Sequence, residues 1–305
     1  MTPRWIPAAV ALALPVACAT LDTFLFDSLP ADEFRWDDDP CDPQLTGDLS
    51  ENYYEHFGGP EPTCHPSKIP PQDRTEGFVT AADGNEIHYV YAERPGADTT
   101  IFYSHGRKHH IGVYWERVEL MWELGYNVMI YDYPGFGRSS GEPDEASLYA
   151  SAEAVMELLP GMPGVDVDRV FFYGFSLGGG PTYEMGARGV RDELPIRPRG
   201  LISESTFCSV EALVQDGSYT NLSAEFLSEN RFDNCSKIDE IAAAIPVMIV
   251  HGEVDDFVTP VHAQLLLAAT DEDVELHWAE GSAHSDIPVL VPDEYAQWLT
   301  EFLAQ

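Results

Sequence analysis

The chain has 305 residues, 44% of them hydrophobic, enough for one large α/β domain with an extension or for two small domains. Lys and Arg number 16 against 52 Asp and Glu, a formal charge of -36. Such a surface argues against nucleic acid and anionic membrane faces as partners, and it fits a solvated acidic shell whose self-repulsion salt would screen.

At the N-terminus Arg4 is the only early charge and Trp5 to Ala19 is apolar. That run is short for a membrane span of ~20 residues, but it suits the apolar part of an export signal. We therefore expect residues 1–19 to be a signal and the protein to be exported, periplasmic or extracellular. Ala17-Cys18-Ala19 offers a small-x-small cleavage site. Val16-Ala17-Cys18 offers instead an imperfect lipobox, with acylation of the Cys18 thiol and a membrane tether; Pro15 stands where leucine is usual. Residues 20–76 are Asp/Pro-rich and read as an irregular extension packed on the main domain, with Leu25-Phe26 and Tyr53-Tyr54 as anchors. Besides Cys18 there are four cysteines, an even count that in an exported protein implies disulfides. Three connectivities are possible, and we expect the local pairs Cys41–Cys64 and Cys208–Cys235. No C-x-x-C spacing points to a metal.

Regular structure is expected from Gly77 to the C-terminus. Phe78–Ala81 and Ile87–Glu93 flank Asp83-Gly84-Asn85, a hairpin signal. Strands are expected at 99–104, 127–131, 170–173, 200–203, 246–250 and 274–279. Helices are expected at 113–124, 142–159, 177–189, 260–269 and 293–303. This alternation implies a mostly parallel sheet with helices on both faces. Residues 207–244 are more than one crossover helix needs, so a small lid is expected there, stapled if Cys208–Cys235 forms.

The chemistry centres on Gly174-x-Ser176-x-Gly178, between an apolar strand and a helix. A serine on such a turn is held at a strained backbone position, because side chains at the glycine positions would collide with neighbouring elements. The helix start supplies free N–H groups nearby. After the strand at 246–250 come Asp255 and Asp256, and after the strand at 274–279 comes His284. Positions just past strand C-termini are where such sheets carry ligand-facing groups. Serine, acid, histidine is the chain order expected of a hydrolytic triad on this architecture. His284 would take the Ser176 proton, and the aspartate would hold its tautomer. The N–H groups of Arg107 and Leu177 would form the oxyanion hole, with Gly106 allowing close approach. His105 reads as an organiser of that loop.

His105-Gly106, Asp132-Tyr-Pro-Gly135-Phe-Gly137-Arg-Ser139, Gly174-Phe-Ser176-Leu-Gly178-Gly179 and His251-Gly-x-x-Asp255-x-x-Val258 with His284 together resemble the α/β-hydrolase superfamily. More narrowly they resemble exported bacterial α/β hydrolases and the eukaryotic α/β hydrolase domain-containing proteins 13 and 17, which are esterases and thioesterases. The resemblance spans Gly77 to the C-terminus and implies Asp255, rather than Asp256, as the acid. Relatives often carry His-Gly-Asn-x-x-Asn where Arg107, Lys108, His109 and His110 stand here. That cluster would either favour substrates with a carboxylate or phosphate or be an ordinary solvated loop.

The expected function is a serine hydrolase of carboxylic esters or thioesters acting on a small molecule without a cofactor. A small-peptide or amide hydrolase is the second reading. A cell-surface binding protein using the same fold without catalysis is the third, since fold alone does not imply activity.

Overall fold

The structure is a computed structural model that describes residues 24–38, 65–217 and 229–305. The expected signal, Cys18, Tyr53-Tyr54 and the Cys41–Cys64 pair lie outside the described residues.

Eight strands form one sheet: β2 (Arg74–Thr80), β3 (Glu86–Ala92), β4 (Thr100–Ser104), β6 (Asn127–Tyr131), β7 (Val170–Phe175), β8 (Gly200–Glu204), β9 (Val247–Gly252) and β10 (Glu275–Ala279). Their spatial order is β10-β9-β8-β7-β4-β6-β3-β2. β2 pairs antiparallel with β3 and β3 antiparallel with β6, while every other pair is parallel. The central strands are mainly apolar because both faces are covered. Every residue of β4, β6, β7, β8 and β9 is buried. β2 lies at the edge and alternates between half-buried and exposed. The hairpin turn has Gly84 at φ 88°, and the Asp83 carboxylate accepts the Asn85 N–H at 3.0 Å.

The helices among the described residues include α1 (Trp115–Glu123), α2 (Glu145–Met156), α3 (Gly179–Val190), α4 (Val210–Gly217), α5 (Ile238–Ala242), α6 (Val261–Ala268), α7 (Ile287–Leu290) and α8 (Pro292–Leu303). The alternation of side chains along β7 builds the two layers. Phe172 joins Leu148, Val155 and Met185 on one face. Phe171 and Tyr173 join Trp115, Val118, Leu299 and Phe302 on the other. The result is an α/β-hydrolase fold, a mostly parallel sheet covered by helices on both faces.

Several element ends differ from expectation, each for a local reason. The hairpin's first strand begins at Arg74, directly after a helical turn at Pro71–Asp73. α2 starts at Glu145 because Pro143 discourages helix before it and Asp144 caps it, accepting the Ser147 N–H at 2.7 Å. The helix expected from Val113 opens as a 3-10 turn, Ile111–Tyr114, with the His110 ring accepting the Gly112 N–H at 3.1 Å. β7, β8 and β9 run on to Phe175, Glu204 and Gly252, one or two residues past the expected ends.

The N-terminal segment contains a strand that composition hid. β1 (Asp27–Ser28) pairs in parallel with β5 (Lys108–His109). Leu25 and Phe26 are buried against the core. Trp36 packs on Trp115 with ring centroids 4.1 Å apart. Between β8 and β9 lie α4, α5 and a disulfide between Cys208 and Cys235. Among the described residues no helix is long and apolar enough to cross a membrane.

Candidate active site

The strand order changes direction at β4: β6 lies on one side and β7 on the other. Ligand sites in parallel sheets form at such switch points, past the strand C-termini. Arg107 follows β4 and Ser176 follows β7, so the two loops face each other there.

Ser176 sits at φ 53°, a left-handed conformation uncommon for a residue with a side chain. The neighbouring glycines make this turn possible by close approach. A Cβ at Gly178 would stand 1.9 Å from the Ser104 carbonyl oxygen, and one at Gly174 would stand 2.7 Å from that of Gly178. The Thr206 hydroxyl donates to the Ser176 carbonyl at 2.5 Å and braces the strained backbone.

His284 Nε2 lies 2.9 Å from Ser176 Oγ, and His284 Nδ1 lies 2.8 Å from Asp255 Oδ2. A carboxylate can only accept, so Nδ1 carries the proton and Nε2 is free to accept from the serine hydroxyl. Asp255 Oδ1 accepts the N–H groups of Phe257 and Val258, both at 2.9 Å. Asp256 is exposed. His251 Nε2–H donates to the Val258 carbonyl at 2.8 Å and so ties down the far end of the acid's loop. Thus Ser176, His284 and Asp255 are brought together, and Asp256 points to solvent.

Arg107 and Leu177 both line a small recess beside Ser176. Gly106 is wedged beneath Arg107, where a Cβ would stand 2.7 Å from the Tyr114 hydroxyl and 3.0 Å from the Phe175 ring. His105 is fully buried, with Tyr114 and Tyr133 against its ring at centroid distances of 5.0 and 4.2 Å, and its Nδ1–H donates to the Gly106 carbonyl. Burial pushes its pKa down to about 4 against the opposing pull of Asp132, which leaves it neutral.

The four-residue cluster Arg107–His110 divides. His110 is buried, caps the turn before α1 and is pushed by burial to about 4. His109 sits at φ 50° and pairs with Ser28 in the small sheet. Arg107 and Lys108 line the larger cleft over Ser176. The Arg107 guanidinium lies 5.1 Å from the centre of the Phe24 ring, 5.3 Å from that of Phe257 and 3.9 Å from the Asp27 carboxylate. Burial lowers the Lys108 pKa, and Asp27 opposes this. The larger cleft has a volume of about 300 Å³, with walls that include Val113, Tyr114, Phe175, Phe257 and His284.

Sequence reasoning missed the buried polar frame behind the site. Arg117 Nη1 donates to Glu204 Oε1 at 2.6 Å, and Nη2 donates to the Ser285 carbonyl at 2.9 Å. Tyr173 and Tyr295 donate their hydroxyls to Glu204 Oε2. The Arg117 guanidinium lies 4.2 Å from the centre of the Phe175 ring, the residue before Ser176. One signal was present: a lone arginine in a helix stretch whose neighbours Trp115, Val118, Met121 and Trp122 pack the core.

The family model described as serine aminopeptidase, S33, matches residues 95–231, a stretch that includes Ser176 but neither Asp255 nor His284. Human α/β hydrolase domain-containing protein 17B is 29% identical over 77% of this chain and 77% of its own length. The uncharacterized protein YfhR of Escherichia coli K12 is 26% identical over 68% of this chain and 72% of its own. Among solved structures, the Pyrococcus furiosus esterase Pf2001 superposes with a TM-score of 0.64 at 18% identity, covering 78% of this chain and 94% of that one. An esterase from Exiguobacterium antarcticum gives 0.58 at 17% identity, covering 76% and 100%. The chain has the α/β-hydrolase fold, and its sequence is similar to that of the α/β hydrolase domain-containing protein 17 group.

Proposed function

We propose that the protein is a serine hydrolase that cleaves carboxylic esters or thioesters through an acyl-enzyme. The observation that carries this reading is the unbroken hydrogen-bond path from Asp255 through His284 to Ser176 Oγ, which opens on the 300 Å³ cleft. Ser176 Oγ attacks the carbonyl carbon while its proton passes to His284 Nε2. The resulting imidazolium is stabilised by the Asp255 carboxylate, and the developing oxyanion is held by the N–H groups of Arg107 and Leu177. Collapse breaks the carbonyl–oxygen or carbonyl–sulfur bond, and the leaving alcohol or thiol takes the proton from His284. Water then attacks the acyl-enzyme with His284 as base, releasing the acid and free Ser176.

Hydrolysis of p-nitrophenyl esters by wild type beside Ser176→Ala tests the reading. Turnover lost in the variant, with a fluorophosphonate labelling the wild type at Ser176, supports it. Turnover equal in both proteins, or no labelling at all, sinks it. An aminopeptidase is the second reading, favoured by the family match over residues 95–231. It would need a carboxylate in the cleft to hold the substrate's free amine, and Glu116 lies among the lining residues beside Arg107 and Lys108. Faster cleavage of amino-acid p-nitroanilides than of esters would decide for it. The Cys208–Cys235 disulfide supports the reading of the chain as an exported protein, since such bonds persist in oxidising compartments.

A further inference from the structure

We propose that the N-terminal segment Phe24–Ala31 is a wall of the catalytic cleft, and that Phe24, set against Arg107 and Phe257, limits the size of one arm of the ester. The inference rests on the serine-hydrolase reading above.

Ser176 opens on two unequal spaces. The larger measures about 300 Å³. The smaller, lined by Phe24, Leu25, Leu177, Phe207, Leu213 and Phe257, measures about 10 Å³. A space of ~10–15 Å³ holds roughly one water-sized group. An ester whose carbonyl sits at Ser176 sends one arm into each space. The small space therefore takes an apolar arm of about one or two carbons, and the large one takes the bulkier arm.

Two of the small space's walls come from far back in the chain, and the backbone holds them there. The Asp27 N–H donates to the Arg107 carbonyl at 3.1 Å and the Leu29 N–H to that of His109 at 3.2 Å. The Ala31 N–H donates to the Gly137 carbonyl at 2.8 Å, and the Gly137 N–H returns to that of Leu29 at 3.0 Å. Leu25 and Phe26 are buried in one cluster with Leu177, Phe207 and Val258. The segment is thus sewn onto the loop that presents Arg107.

Phe24 is the adjustable part of this wall. Its ring is stacked 5.4 Å from Phe257, whose ring lies 4.9 Å from that of His284. The Arg107 guanidinium faces both phenyl rings and donates to the Phe24 carbonyl. Yet Phe24 is 39% exposed, so shortening its side chain opens the recess outward without hollowing the core.

The test uses two substrate ladders on the full chain. One varies the acyl group of p-nitrophenyl esters from acetate to octanoate, and the other varies the alcohol of n-alkyl acetates from methyl to octyl. Wild type should lose kcat/KM steeply with length on one ladder. In Phe24→Ala the ratio of kcat/KM for the six-carbon over the two-carbon arm should rise about tenfold or more on that ladder alone, since one methylene in an apolar pocket is worth roughly tenfold upward. Phe24→Trp should lower the same ratio, and Phe24→Leu, which keeps most of the packing, should raise it less. Ratios unmoved on both ladders, or moved equally on both, overturn the inference. If fluorophosphonate still labels Ser176 in that case, the hydrolase reading stands and only the wall falls. No labelling and no Ser176-dependent turnover removes both.

Discussion

His284 Nδ1 meets Asp255 Oδ2 at 2.8 Å, while the neighbouring Asp256 is exposed. An asparagine at 255 can present an amide N–H to Nδ1 and favour the wrong imidazole tautomer. Asp255→Asn should therefore lower kcat by about 10⁴, the loss such a change causes in a serine triad. Asp256→Asn should stay within a few-fold of wild type. Steady-state ester kinetics of the two variants check this, and the reverse order would move the acid to Asp256.

The Arg117–Glu204 pair is buried on both sides, with side-chain exposures of 3% and 0%. Removing one partner leaves an uncompensated charge, which costs about 3–5 kcal/mol. Arg117→Met should therefore unfold at markedly lower denaturant than wild type, and adding Glu204→Gln should restore part of the loss. Because Arg117 also holds the Ser285 carbonyl beside His284, ester turnover should fall in the single variant even at temperatures where it remains folded. Urea unfolding of the single and double variants measures the coupling; additive losses would show that the pair does not act as a unit.

Stability should fall on mild acidification. Burial pushes His105, His110 and His262 each down to about 4, against the opposing pull of Asp132 on the first two and of Asp216 on the third. Their folded values lie below the unfolded value of ~6.5, so the unfolded chain takes up protons first as pH drops. The stability these groups contribute is complete above pH ~6.5, declines down to pH ~4 and is flat below. Each should account for roughly 3 kcal/mol over that window. His88 works in the opposite sense: burial lowers its pKa, but the hydrogen bonds to Asp132 and Glu76 outweigh this and raise it. Its contribution is present at low pH and is lost as pH rises through its folded value. Unfolding free energies at pH 7, 5.5 and 4.5, wild type beside His105→Phe, should show a shallower decline in the variant. Parallel declines would remove His105 from the account.

The Cys208–Cys235 bond closes a loop of 27 residues in sequence separation. Its reduction should remove about 3.5 kcal/mol by loop entropy. The melting temperature should drop on adding reductant, and Cys208→Ser should reproduce the drop in the absence of reductant. An unchanged melting temperature in both would mean that the two ends of the loop are already held by the Asn234 and Cys235 N–H bonds to the Cys208 carbonyl.

The fold class was legible in the sequence because each of its signals is local. Apolar runs such as Val170-Phe-Phe-Tyr173, separated by capped and amphipathic stretches, dictate strands and helices one at a time, and their alternation dictates a parallel sheet. The turn at Ser176 was legible for the same reason, since the steric need for Gly174 and Gly178 belongs to five adjacent residues. Tertiary structure alone decided which side chains meet. Asp255 and Asp256 differ by one step along a loop, and only the bonds of Phe257 and Val258 to Asp255 turn that carboxylate towards His284. Arg117 and Glu204 stand 87 residues apart and become partners only when the chain has folded. Phe24, in a stretch whose composition reads as irregular, reaches the small recess beside Ser176 because β1 pairs with β5 beside Arg107. Propensity and periodicity report a residue's own neighbours, whereas strand order and burial select the distant ones, and the candidate site is assembled from distant ones.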